Sequence, residues 1–246
     1  MKKQFLVVTM SACMGIMGNV AHADGWKGKG EAGMLVNSGN TDSKSVNIGL
    51  GLENKAGVWG QEAFLGLVRN ESDNVDTADS KKVDYIATRD VTAKSYIFAG
   101  FNYLDDAFDG FTEQKAVSAG YGYRVIDSET VKFELGLGLG YRDTADAVKD
   151  DKGFETGDAG LDKSGETVVG LLKYSNKLTA NTEFYDTLRI EAASDNTYID
   201  NEIGLLVSMS EAYALKASVT TRRNSEPAPD SKATDTITSL SLVYNF

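Results

Sequence analysis

The most restrictive feature of this sequence is an alternation of apolar and polar residues that persists for about twelve residues at a time. In Val131-Lys132-Phe133-Glu134-Leu135-Gly136-Leu137-Gly138-Leu139-Gly140-Tyr141-Arg142, one parity is apolar and the other holds Lys, Glu, glycines and Arg. Successive side chains of a β-strand point to opposite faces, so this stretch has one greasy side and one polar side. The same pattern runs through Val46/Ile48/Leu50/Leu52, Val117/Ala119/Tyr121/Tyr123 and Ile203/Leu205/Val207/Met209. It predicts about twelve strands, near 26–38, 43–55, 58–69, 81–93, 95–104, 114–125, 130–142, 166–176, 181–192, 197–209, 212–222 and 234–246. Both prolines, Pro227 and Pro229, fall together in one expected loop, and no amphipathic helical window stands out.

Strand length separates two all-β architectures. Strands of soluble proteins usually run about 5–6 residues, whereas a strand tilted across a bilayer needs about 9–11. The links also alternate. Short ones fall near Ala56-Gly57, Lys94, Asp127-Ser128, Thr179-Ala180 and Ser210-Glu211, and longer acidic ones near 70–80, 105–113, 143–165 and 223–233, the links after the first strand (Gly39-Asn40-Thr41-Asp42) and the ninth being shorter exceptions. Short turns at one end and long loops at the other characterise outer-membrane barrels, with the turns in the periplasm. The expected fold is therefore all-β, a transmembrane antiparallel up-and-down barrel of about twelve strands. The competing architecture is a soluble periplasmic β-barrel that binds a ligand. Leu240, Leu242, Tyr244 and the final Phe246 share one face. They resemble the terminal-strand pattern read by the barrel assembly machinery, which favours the membrane architecture.

The N-terminus fits export. Lys2 and Lys3 precede an apolar run from Phe5 to about Met17, and small residues lead to Ala21-His22-Ala23. This order predicts a cleaved signal peptide over 1–23 and a barrel domain over 24–246. Cleavage leaves 23 basic and 36 acidic residues, a net charge near −13, and removes the only cysteine (Cys13) and the only histidine (His22). A nucleophile–histidine enzyme and a Cys/His zinc site then lack their essential side chains. Paired carboxylates suffice for glycoside hydrolysis, but carboxylates are too numerous here to single out a pair. The expectation is a non-enzyme without cofactor or metal centre. Acidic charge also argues against nucleic acid as a partner. The expected partners are outer-membrane lipid, lipopolysaccharide and the assembly machinery.

The polar parity would line a lumen. Its candidate cations are Lys27, Lys29, Arg124, Lys132, Arg142, Arg189, Lys216 and Arg222. The facing carboxylates are Glu31, Glu53, Glu62, Asp84, Asp90, Glu134, Glu183, Glu191, Asp200 and Glu202. Near-balance suggests a salt-bridged interior, with a small polar conduit as the functional alternative. Inward glycines (Gly49, Gly51, Gly120, Gly122, Gly136, Gly138, Gly140) leave space or permit curvature. Gly136-Leu137-Gly138-Leu139-Gly140 lies inside a strand with no helix after it, so it is not a dinucleotide-binding loop. The acidic segment 143–165 lacks calcium-loop spacing, Lys152 occupying a ligand position, and reads as a solvated loop. Two charges resist the scheme: Arg89 falls on the apolar parity of its strand, and Asp186 does the same.

Ser38-Gly39-Asn40-Thr41 after Trp26-Lys27-Gly28, Phe108-Asp109-Gly110 before Tyr121-Gly122-Tyr123-Arg124, and Thr234-Asp235-Thr236 leading to Leu242-Val243-Tyr244-Asn245-Phe246 resemble a known family. It is the YdiY-like family of salt-induced outer-membrane proteins, a domain of unknown function. The resemblance implies an outer-membrane barrel with an osmotic or salt-stress role in the envelope and supplies no site residues. Three functions remain open: a small porin-like channel, a non-conducting structural or surface-interaction barrel, and the soluble periplasmic binder.

Overall fold

In the computed structural model, described for residues 25–246 except 39–42, 73–74, 107–110, 150–154, 195 and 228–231, nearly every residue belongs to a strand. The strands are β1 (Trp26–Ser38), β2 (Ser43–Ala56), β3 (Trp59–Ser72), β4 (Val75–Asp90), β5 (Ser95–Asp106) and β6 (Phe111–Asp127). They continue with β7 (Val131–Lys149), β8 (Glu155–Lys177), β9 (Thr182–Ala192), β10 (Thr197–Ser208), β11 (Tyr213–Asn224) and β12 (Thr234–Asn245). Each pairs antiparallel with its chain neighbours, and β12 pairs with β1 to close the barrel. Closure leaves no unpaired sheet edge, which is what lets strands cross a hydrocarbon layer. At the seam, the Gly28 N–H donates to the Phe246 carbonyl at 2.8 Å and the Phe246 N–H returns to Gly28 at 2.9 Å.

The short turns occupy the expected places, at 57–58, 91–94, 128–130, 178–181 and 209–212. Gly57 takes the left-handed conformation (φ 60°) that a tight hairpin needs. The opposite end departs from expectation. Segments 70–80, 105–113 and 143–165, read as loops, are largely strand. The β3–β4, β5–β6 and β7–β8 pairs run on, with register shifts near Asn70/Glu71, Leu104/Asp106 and Ala145/Ala147. Acidic side chains lowered the apparent strand propensity there, but backbone pairing continues once its neighbour sets the register. The expected signal segment 1–23 and the acidic side chains at Asp146, Asp150, Asp151, Glu155, Asp158 and Asp162 lie outside the described residues.

Alternation sorts the chain into two faces. Outward, Leu137 is 66% exposed and Leu139 71%, with Leu67, Val117, Leu240 and Leu242 also bare. So large an exposed apolar surface is unusual for a protein surrounded by water. On β7 the apolar run lies between Phe133 and Tyr141, about 27 Å along the strand. That is about 21 Å of height at a tilt of ~40°, close to the band of a membrane barrel. Rings gather at the turn end, where Phe133, Tyr174 and Phe184 meet edge to face at 6.2 and 6.1 Å. Tyr213, Tyr244 and Phe246 form a second cluster.

The two awkward charges do face outward, and their places explain them. Arg89 is the cross-strand partner of Trp59 beside the β2–β3 turn, and its guanidinium lies 5.7 Å from that ring. It sits at the rim rather than mid-band. Asp186 stands opposite Tyr174 of the ring cluster and accepts a 2.7 Å hydrogen bond from Asn201, also outward. The period-two register therefore holds through both strands.

Candidate functional site: a charged lumen

A barrel of eight strands is filled by its own side chains, and one of sixteen to eighteen leaves an aqueous channel. Twelve is intermediate, so the inward side chains decide whether space remains. The lumen candidates of the sequence lie on the inward parity of their strands, at different depths. Lys27, Lys29, Glu53, Glu62, Arg124, Glu134 and Arg189 line two overlapping cavities of about 350 and 340 Å³ at the turn end. Glu31 and Lys216 pair deeper in the barrel, and Arg142 is buried. Lys132 is exposed beside the β6–β7 turn, opposite Ser175.

Several ion pairs span one intervening strand. Lys55 on β2 reaches Asp90 on β4 at 2.6 Å, and Arg124 on β6 reaches the same carboxylate at 2.8 Å from the other side. Lys55 passes beside Gly60 of β3, its Cδ 3.7 Å from where a Cβ would stand. Arg124 lies over the Tyr96 ring at 4.9 Å, and the Tyr96 hydroxyl donates to Glu134 at 2.9 Å. Lys216 on β11 reaches Glu31 on β1 at 2.6 Å and Glu202 at 3.6 Å, while Tyr185 donates to Glu202 at 2.5 Å. Glu191, 1% exposed, takes Arg189 at 2.6 Å and Arg142 at 3.8 Å. A carboxylate this deeply buried needs both cations to offset its lost hydration.

Two further pairs cross the lumen itself. Lys82 on β4 meets Asp200 on β10 at 3.0 Å, and these strands stand six places apart in a ring of twelve. Both residues lie eight positions from the turn-end limits of their strands, Asp90 and Ser208, so the bridge sits near mid-height. Lys82 also touches Asp84 at 3.4 Å, which accepts from Asn102 at 2.8 Å. Nearer the turns, Lys173 on β8 joins Glu62 on β3 at 2.7 Å, five strands away.

Sequence reading missed Lys55, Lys82, Lys173 and the inward rings. Lys82 shares its parity with Asp84, which was a usable signal. Lys173 follows Leu171-Leu172, which blurs the alternation. β5 reads apolar on both parities, Tyr96 and Phe98 against Ile97 and Phe101, so its faces were not separable. Most of the inward glycines prove to be a floor rather than free space, although a Cβ on Gly51 would meet nothing nearer than 3.9 Å. A Cβ on Gly122 would meet the Tyr96 ring at 2.2 Å, and one on Gly120 the Phe98 ring at 2.6 Å. The rings lie where glycine side chains are missing, a known way to stabilise such positions in sheets.

The closed barrel agrees in fold with the solved structures it resembles. The translocator domain of autotransporter NalP from Neisseria meningitidis superposes with TM-score 0.52 at 16% identity, covering 99% of each chain. The NanC porin superposes with TM-score 0.52 at 10% identity, covering 87% of this chain and 98% of that one. Identities this low speak for the fold alone. Both are a barrel of the outer-membrane type, and neither is an enzyme. In sequence, the uncharacterized protein YdiY of Escherichia coli (strain K12) is 28% identical over 229 residues, covering 89% of this chain and 83% of that protein. The family model described as protein of unknown function, DUF481, matches residues 30–246, and the chain belongs to that family.

Proposed function

We propose that this chain is an outer-membrane barrel of a Gram-negative envelope acting as a narrow, porin-like passage for small ions and solutes, held nearly closed at mid-height by its own ion pairs. The observation that carries this is the Lys82–Asp200 bridge between opposite walls, above a turn-end cavity of about 350 Å³ lined by both signs of charge. The cavity supplies a polar entry, and the bridge sets the bore. Planar-bilayer recording tests the reading. Wild-type protein gives small steps, and the double variants K82Q/D200N and E62Q/K173Q, which remove both charges of a crossing, give larger ones. Absence of reproducible steps in all three sinks the channel reading.

That result would leave the second reading, a non-conducting scaffold, which the density of wall-to-wall pairs favours independently. The bare outward leucines weigh against a soluble periplasmic binder. An osmotic or salt-stress role is supported by the family resemblance alone. Export with cleavage after Ala23, lipid and lipopolysaccharide around the barrel, and recognition of Leu240, Leu242, Tyr244 and Phe246 by the assembly machinery belong to the same proposal. N-terminal sequencing of the outer-membrane fraction and heat-modifiable gel mobility check them.

A further inference from the structure

Ion pairing satisfies most of the charge around the two turn-end cavities, but not evenly. Their lining carries six cations, Lys27, Lys29, Lys55, Arg124, Lys173 and Arg189. It carries four carboxylates: Glu53, Glu62, Asp84 and Glu134. Asp90 and Glu191, just outside the lining, take up Lys55, Arg124 and Arg189, while Glu62 holds Lys173. Asp84 is engaged by Lys82 and Asn102. Glu134 is engaged by Tyr96 and Arg124, and what remains is Lys29 on β1 with the loose pair of Lys27 on β1 and Glu53 on β2. Lys27 is 3.9 Å from Glu53, a long contact between two exposed side chains, and Lys29 has no ion-pair partner among the described residues. Both lysines border the second cavity, and its lining includes apolar side chains, Leu171, Ile86 and Phe64. Leu171 and Ile86 border the first cavity too, together with the Tyr96 ring.

We propose that this vestibule is a binding site for a small organic carboxylate with an apolar body. The carboxylate lies between Lys29 and Lys27, and the body lies against Leu171 and Ile86. Lys29, without an ion-pair partner among the described residues, and the loosely held Lys27 supply the counter-charge, and an apolar wall rewards a ligand that is more than an inorganic ion. A cavity of about 340 Å³ admits a ligand of the size of a single aromatic ring with a short acidic arm. A cationic ligand would find only Glu53, still beside Lys27, and would lie next to Lys29, which has no ion-pair partner among the described residues. The proposal rests on the inward-facing lumen of the channel reading but not on conduction, so the two fail separately.

The test uses 4-fluorophenylacetate as probe and full-length mature protein in nanodiscs of zwitterionic lipid, with empty nanodiscs subtracted for partitioning. Fluorine line broadening reports binding. The expected result is saturable broadening, with the probe's dissociation constant raised about tenfold or more in K27Q/K29Q, since charge-assisted hydrogen bonds to the ligand are lost. K132Q, which changes a lysine outside the cavity, leaves the constant unchanged. 4-Fluorophenethylamine and 4-fluorobenzyl alcohol give no saturable broadening, and fluoride alone gives none. The proposal is overturned by equal broadening of the amine or alcohol, by a K27Q/K29Q protein that binds like wild type, or by no saturable binding of the acid. Heat-modifiable mobility of each variant confirms that the barrel is folded. Loss of conductance in bilayers with this binding intact would refute the channel and leave the site standing.

Discussion

Removing one end of the mid-lumen bridge gives the sharpest test of the interior. Asp200→Asn keeps the shape of the side chain and deletes its charge, leaving Lys82 with Asp84 at 3.4 Å as its remaining ion-pair partner among the described residues. At 3.0 Å the gross Coulomb attraction is about 5.5 kcal/mol for an effective dielectric near 20. The net value is smaller because both groups lose hydration on meeting. With Lys82 30% and Asp200 16% exposed at the side chain, some water remains to screen the pair, and Asp84 retains part of the attraction. The expected coupling between the two residues is therefore about 1–3 kcal/mol, inside the range of neighbouring charged pairs. The measurement is a double-mutant cycle of K82Q, D200N and K82Q/D200N by urea unfolding in lipid vesicles, followed through the fluorescence of Trp26 and Trp59. Repeating it in 1 M salt should lower the coupling, since the lumen is reached by water. A coupling below about 0.3 kcal/mol in low salt, indistinguishable from additivity, would refute a bridge that ties opposite walls together.

Two other expectations follow from the faces. Leu137→Arg, at a 66% exposed outward site midway along the apolar run of β7, should cost about 2–4 kcal/mol in the same unfolding assay, whereas Arg89→Gln at the rim should cost less than about 1 kcal/mol. Equal effects would mean that the outward band is misplaced. Within the glycine floor, Gly138→Ala puts a Cβ 2.5 Å from the Ala119 carbonyl oxygen and should cost about 1–3 kcal/mol. Gly136→Ala finds only side chains, none nearer than 3.2 Å, and should be milder. The order of the two unfolding midpoints checks this.

Fold and facing were legible because a membrane barrel imposes one rule on every strand. A single-residue slip would turn Leu135, Leu137 and Leu139 into the lumen, so alternation alone determines the parity of β7. The same rule located the short turns, where the pattern breaks for a few residues. It was weakest where the outward face leaves the apolar band. Above that band nothing demands greasy residues, so the far ends of β3, β4, β7 and β8 look like loops although their backbones keep pairing. Arg89 was awkward for a related reason. Alternation tells the face of a residue but not its height, and only the register against Trp59 places it at the rim.

Height and azimuth are also what hid the pairs across the lumen. Neighbouring strands bring partners such as Arg124 and Glu134 face to face, and the hairpin between them makes that nearly readable. Lys82 and Asp200 are 118 positions apart, and they meet only because twelve strands place β4 and β10 on opposite walls at equal depth. With ten or fourteen strands the same two residues would no longer be diametric, and their charges would need other partners. An interior pair of this kind therefore constrains strand number as well as bore. The barrel's circumference is recorded in which distant charges fit each other, and a charge swap, K82D/D200K, should be tolerated far better than either single reversal, because it preserves the chord while exchanging its ends. Equal damage from the swap and the single reversals would mean that local surroundings, rather than the span between walls, select these charges.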